Sequence, residues 1–248
     1  MKISVITVVY NCRDTIAATL ASVAGQTYPH VEHIVVDGAS TDGTLDVLAA
    51  FRERIAVLIS EPDRGPNEAQ NKGLASATGD IVGFLNADDV YANADVLEKI
   101  AAAFAAADVD AVYGDLLYMG SSSPENLLRI WHAGNFSPRK LSWGWMPPSP
   151  TLYVRKRYYD ELGGIDERYK IASDYHMTLR LFSMSGFRAV YIPEVFVKMR
   201  WGGRSNYSLK NIIRKSYDDY LALRETGVGG IGALLWKNIS KIGQFFIK

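Results

Sequence analysis

The chain has 248 residues, 48% of them hydrophobic, which is enough for one large domain or two small ones with a sizeable core. Lys and Arg number 27 and Asp and Glu number 27, so the net charge is zero, and a nucleic-acid binder acting through overall charge is excluded. A single cysteine, Cys12, excludes an internal disulfide framework and a Cys-rich zinc site and fits a reducing cytosol.

Lys2 to Val9 is a near-continuous apolar run, as expected of a strand buried on both faces. It leads directly into Asn11, Arg13 and Asp14, which is not the pattern of a secretory signal, and no uncharged apolar stretch approaches the ~20 residues that span a bilayer. Thr15 to Ala24 carries Ile16, Leu20 and Val23 at helical spacing and stops at Gly25. A second strand, His33 to Val36, ends at Asp37. Ser40 or Thr41 is placed to cap a helix with Leu45, Leu48 and Phe51 on one face. Ile55 to Ile59 is the third strand, Pro66 opens a helix toward Ala77, and Ile81 to Leu85 is the fourth strand. Asn93 is placed to cap an alanine-rich helix, Val96 to Ala106, and Ala111 to Tyr113 forms a strand ending at Asp115. This βαβα alternation predicts a parallel, doubly wound sheet with Asp37, Asp88 and Asp115 at strand C-terminal ends.

Beyond residue 117 the composition shifts. Residues 118 to 150 are rich in Ser, Pro, Gly and Trp, and Trp143 to Pro150 (WGWMPPSP) cannot be helical throughout. Helices are expected near Lys156 to Leu162 and Asp174 to Ser185, then a strand at Ala189 to Ile192 and a long helix from about Ser208 to Glu225. A Gly-rich break spans Gly227 to Gly232. The tail interleaves Leu234, Leu235, Trp236, Ile239, Ile242, Phe245, Phe246 and Ile247 with Lys237, Lys241 and Lys248, a basic amphipathic pattern suited to a membrane interface or to packing on protein.

The segment Phe84 to Asp89, FLNADD, holds two adjacent carboxylates where a buried strand surfaces. Ligands of open α/β sheets bind outside the carboxyl ends of the strands, and hard cations bridge carboxylates to substrate phosphates, so the pair suggests a metal–diphosphate site. A solvated turn acid is the plain alternative.

In order along the chain come TVVYN (Thr7 to Asn11), SVAGQTYPHVEHIVVDGASTDGT (Ser22 to Thr44), DRGPNEAQNKG (Asp63 to Gly73), ATGDIVGFLNADD (Ala77 to Asp89), GGIDERYKIASDYHMTLRL (Gly163 to Leu181) and MRWGGRSN (Met199 to Asn206). Together they resemble glycosyltransferase family 2, with its GT-A fold, over residues 2 to 226. The resemblance implies a Rossmann-like, mostly parallel central sheet flanked by helices, with a nucleotide-sugar-binding half at 1–117, an acceptor-binding half at 118–226 and an amphipathic tail at 227–248. It implies an inverting transfer of a hexosyl or N-acetylhexosaminyl group from a UDP- or GDP-sugar to a saccharide acceptor, lipid-linked, in surface polysaccharide synthesis. The cofactor implied is Mn²⁺ or Mg²⁺. The location implied is cytoplasmic, at the inner face of the membrane, with a homodimer as one option.

By the same resemblance, Thr7, Val9 and Tyr10 belong to the nucleotide pocket, Asp37 receives base or ribose, Asp63 and Arg64 lie near the base, and Lys72 offsets diphosphate charge. The family's Asp-x-Asp reads Asn86-Ala87-Asp88 here. Asn86 hydrogen-bonds a sugar or ribose, Asp88 is the metal ligand, and Asp89 holds the loop or touches the sugar. Asp174 aligns with the general base, preceded by Ser173 where Glu is usual. Arg200 and Arg204 meet phosphate oxygens. Trp143 and Trp145 stack on acceptor sugar or pack on the core. Plain readings stand beside these: a surface ion pair for Asp63 and Arg64, a solvated Lys72, a helix cap for Asp174, and structural roles for His176 and Cys12. A non-catalytic sugar-binding module is the alternative function, kept open by Asn86 and Ser173. A dehydrogenase is disfavoured, since YNCRDT follows the first strand in place of G-x-G-x-x-G.

Overall fold

The computed structural model describes residues 1–120, 127–201, 209–230 and 232–234. Arg204 and the tail beyond Leu234 lie outside these residues, as does Ile231. Strands are β1 (Ile3–Val9), β2 (Val31–Asp37), β3 (Val57–Ser60), β4 (Ile81–Phe84), β5 (Val90–Tyr91), β6 (Ala111–Met119), β7 (Leu127–Trp131), β8 (Tyr153–Arg155) and β9 (Ala189–Arg200). Helices are α1 (Arg13–Ala24), α2 (Thr44–Ala50), α3 (Pro66–Ser76), α4 (Val96–Ala106), α5 (Pro138–Leu141), α6 (Lys156–Leu162), α7 (Ser173–Phe182) and α8 (Leu209–Glu225). Among the described residues no helix is long and apolar enough to cross a membrane.

One sheet runs β3-β2-β1-β4-β8-β6-β9-β5, with β7 paired to β6. The first four strands are parallel, as the alternation predicts. The second half is mixed: β8 lies antiparallel between β4 and β6, while β9 runs parallel to β6 and β5 antiparallel to β9. Since β8 opposes both neighbours, β4 and β6 point the same way, and their C-terminal ends share one edge.

The period of two along the strands sorts the core. Ile6, Ile34 and Val36 face α3, α6 and α7 in one cluster, whereas Val5 and Val9 face the helices of the other side, α4 and α1 with α2. Ile3, Val5, Ile6 and Ile34 are wholly inaccessible. Each contributes about 1.5–3 kcal/mol of burial, so β1 and β2 anchor the edge that carries the site.

Several boundaries differ from expectation. The strand expected to end at Asp115 continues to Met119, with register shifts flanking Asp115, so Asp115 is an interior strand residue. The strand from Ala189 runs on to Arg200. Helix α2 starts after Gly43 in a left-handed conformation, not at Ser40 or Thr41, and Asp95 precedes α4 in place of Asn93. Helix α7 begins at Ser173 after Ala172, so Asp174 lies inside the first turn and is not the cap.

Candidate active site

The loop after β4 is a tight turn in which the Asp89 amide donates to the Asn86 carbonyl (3.1 Å) and the Asn86 side-chain amide donates to Asp89 Oδ2 (2.7 Å). This turn separates the two acids. Asp89 is fully buried, its main-chain carbonyl accepting from Thr19 (2.8 Å), while Asp88 stays partly accessible. Burial, and then the neighbouring Asp88 charge, push the Asp89 carboxyl up to about 8. Burial also raises Asp88, and the positive charge of Arg200, at the end of β9, opposes the rise in both. Asp89 Oδ1 is buried without a hydrogen-bond partner among the described residues. Two carboxyl groups offering only oxygen donors fit a hard divalent cation, with Asp88 as the accessible ligand.

Asn86 and Asp174 line one small cavity of about 40 Å³, together with Gln70, Ser149, Tyr159 and Met177. Asp174 is exposed, yet the protein packed around its carboxyl raises its pKa, and interaction with the Ser149 hydroxyl opposes the rise. The residue before it, Ser173, donates to Asn67 Oδ1 on α3 (2.9 Å), and Asn67 Nδ2 donates to the Tyr169 carbonyl (2.8 Å). Helix α7 is therefore tied to the parallel half at the turn that carries Asp174.

The remaining predicted positions fall around this edge in different ways. Thr7 and Val9 are buried, with Thr7 Oγ1 3.1 Å from His33 Nε2, so their side chains support the edge from below, whereas Tyr10 is exposed. Asp37 is fully buried and its carboxylate accepts from the Ser40 amide (3.1 Å) and the Ser60 hydroxyl (2.8 Å), organising the loop after β2. That loop holds Ala39 at φ 61°, a left-handed conformation that costs a non-glycine residue about 1–2 kcal/mol. Asp63 accepts from the Gly65 amide (2.8 Å). Arg64 pairs not with Asp63 but with Glu68 (2.6 Å) and Glu167 (2.8 Å). Lys72 pairs with Glu61 (2.9 Å) and donates to the Pro62 carbonyl (3.1 Å). Trp145 packs edge-on against Tyr113 and Phe182 and donates its indole N–H to the Ala133 carbonyl (2.8 Å); Trp143 is the exposed one of the two.

His176 is buried and stacks on Tyr169 with ring centroids 4.0 Å apart. It shares a wide cleft with Asp166 and Glu225, where Arg168 already bridges the two carboxylates (2.7 and 3.1 Å). Burial raises the Cys12 thiol, the opposite of what a nucleophile needs.

The family model described as Glycosyl transferase family 2 matches residues 4–190. The chain belongs to that family. This glycosyltransferase is 29% identical over 208 residues to a PGL/p-HBAD biosynthesis glycosyltransferase of Mycobacterium bovis, covering 82% of this chain and 78% of the relative. It is 47% identical over 100 residues to the putative teichuronic acid biosynthesis glycosyltransferase TuaG of Bacillus subtilis, 39% of each chain. Among solved structures, S. aureus TarS 1-349 in complex with UDP-GlcNAc superposes with a TM-score of 0.68 at 23% identity, over 92% of this chain and 66% of that one. The mannosyltransferase PcManGT from Pyrobaculum calidifontis, in complex with GDP-Man and Mn²⁺, gives 0.67 at 23% identity, over 98% and 69%. The chain spans 39% of the longer TarS chain. These likenesses establish the GT-A fold.

Sequence reasoning missed Gln70, Tyr159 and Met177 as lining of the cavity beside Asp174, and Ser149 as its hydrogen-bond partner. Ser149 was signalled only as part of a proline-rich segment, and its partner lies on another element.

Proposed function

We propose that this family 2 glycosyltransferase is an inverting, metal-dependent enzyme. It moves a sugar from a UDP- or GDP-sugar to a lipid-linked saccharide in building a surface polysaccharide. The observation that carries the reading is the single cavity lined by both Asn86, from the acid-bearing turn, and Asp174, from α7. One acid beside the leaving diphosphate and a separate acid facing the incoming hydroxyl suit a single displacement at the anomeric carbon, which inverts it. The donor half at 1–117 would hold the nucleotide and the half at 118–226 the acceptor. The names of the relatives support the polysaccharide setting, and the ligands in the solved relatives support a nucleotide-sugar donor.

Asp174 takes the proton of the attacking hydroxyl. Crowding by protein makes it a stronger base than a free aspartate, and activity follows its ionised form, rising with pH through a pKa above the ordinary 3.8. Asp88 would hold the divalent cation, which when bound supplies charge stabilisation to the departing diphosphate. Arg200 adds positive potential on the same side. Asn86 accepts or donates hydrogen bonds to donor hydroxyls without adding negative charge.

The test is nucleoside diphosphate release from a panel of nucleotide sugars with Mn²⁺ and aryl hexoside acceptors. Asp174→Asn should lower transfer by about 10²–10⁴-fold while donor affinity stays within about twofold. A fully active Asp174→Asn protein rules out this base. Donor and saccharide binding without transfer for every donor points instead to a non-catalytic sugar-binding module.

A further inference from the structure

We propose that His132, held by Asp115, binds the acceptor by taking a saccharide hydroxyl at its Nε2; this rests on the glycosyltransferase reading above. The imidazole is 71% exposed at its side chain, whereas Asp115 beneath it is buried. Asp115 Oδ2 lies 2.7 Å from His132 Nδ1, and Oδ1 accepts from the Ala133 amide (2.9 Å) and the Tyr191 hydroxyl (2.7 Å). A carboxylate offers only lone pairs, so Nδ1 carries the hydrogen, and the neutral imidazole keeps an Nε2 lone pair on its exposed side. That lone pair suits a hydroxyl donor and is a poor partner for a phosphate or carboxylate oxygen.

The surrounding chain is anchored for a fixed orientation. The Tyr113 hydroxyl donates to the Gly134 carbonyl (2.9 Å), Trp145 donates to the Ala133 carbonyl (2.8 Å), and Tyr191 stacks on Tyr113 with centroids 5.6 Å apart. An exposed side chain on a plain surface needs no such support, whereas a binding group gains affinity when its rotamer is fixed beforehand.

Register and side-chain ties relate the dyad to the segment beside Asp174. Gly83, Tyr153 and Val112 form one row across β4, β8 and β6. Beyond that row β4 ends at Phe84 and gives way to the turn that carries Asn86, while β6 continues through Asp115. Phe84 and Tyr113 pack in the same cluster with α7, so both strands present this edge toward the face that carries Asp174. The segment between them is tied at both ends: Thr151 Oγ1 donates to the Gly114 carbonyl (2.9 Å) and Ser149 hydrogen-bonds Asp174. Gly114, next to Asp115, is thus linked through residues 149 to 151 to the base, and the inferred acceptor hydroxyl lies on this side of β4, away from β1 to β3.

The test measures transfer kinetics to aryl hexosides with His132→Ala and His132→Gln proteins. His132→Ala should raise the acceptor KM about tenfold, with donor affinity unchanged; His132→Gln, whose carbonyl also accepts, should recover part of the loss. In the wild type, imidazole ¹⁵N shifts should report the Nδ1–H tautomer and move on addition of acceptor. An active wild type with an unchanged acceptor KM in His132→Ala overturns this inference alone. Loss of donor binding in the same variant also overturns it, since a structural role would then explain the effect. A wild type that transfers nothing removes the parent reading and this one with it.

Discussion

Asp88 and Asp89 are neighbours in the chain and opposites in environment. The first meets solvent and the second is sealed beneath the turn, so Asp89 keeps its proton when folded up to about pH 8. An unfolded Asp loses its proton near pH 4. The folded state therefore binds the extra proton in between, and stability from this group is complete below pH 4 and lost as pH rises toward 8. Asp89→Asn keeps an oxygen for the Asn86 amide and removes the ionisation. Without metal, its thermal midpoint should exceed that of the wild type more at pH 8 than at pH 5, a gain of about 2–4 °C for each kcal/mol. An equal difference at both pH values would show that Asp89 is ionised when folded. Asp88 stood out as one of two adjacent acids at a strand end, and Asn86 and Asp174 through the family resemblance, because these motifs are local. The Asp115–His132 pair and the Ser149 partner did not, since each is made by segments with no shared periodicity or spacing.

At the scale of elements, the parallel strands and their helices were legible because each buried strand is a continuous apolar run and each helix repeats at 3–4 residues. β7 was hidden in a polar, glycine-rich region, and β8 is only three residues long, too short to show a period. The pairing of β4 with β8 depends on Gly83. A Cβ there would lie 2.3 Å from the Tyr153 ring, and that ring is fully buried with its hydroxyl bonded to that of Tyr91. Gly83→Ala should destabilise the protein by about 1–3 kcal/mol through overpacking, measured by urea denaturation. Adding Tyr153→Leu should make the combined loss smaller than the sum of the two single losses, because the same clash is removed. Additive losses would mean that Ala is accommodated by another neighbour.

Across the whole molecule, the parallel half and the mixed half meet at α3 and α7. The buried Ser173–Asn67–Tyr169 chain fastens that meeting. Ser173→Ala leaves Asn67 Oδ1 short of a donor and should cost about 1–2 kcal/mol of stability. It should lower kcat more than it weakens donor affinity, as Asp174 moves with the first turn of α7; a stability loss with unchanged kcat would show that the tie does not position the base. The mixed strand order could not be read from the chain, because no local pattern states which edge a late strand joins. That order also sets a timetable. The four parallel strands are complete once residue 84 has left the ribosome, but the partner of β4 on its open side is β8, about 70 residues later. At ~5–20 residues per second the nascent chain carries the unpaired edge of an apolar strand for several seconds. Newly made protein is thus most prone to aggregate in that interval, and slow translation between residues 84 and 155 would lengthen the exposure.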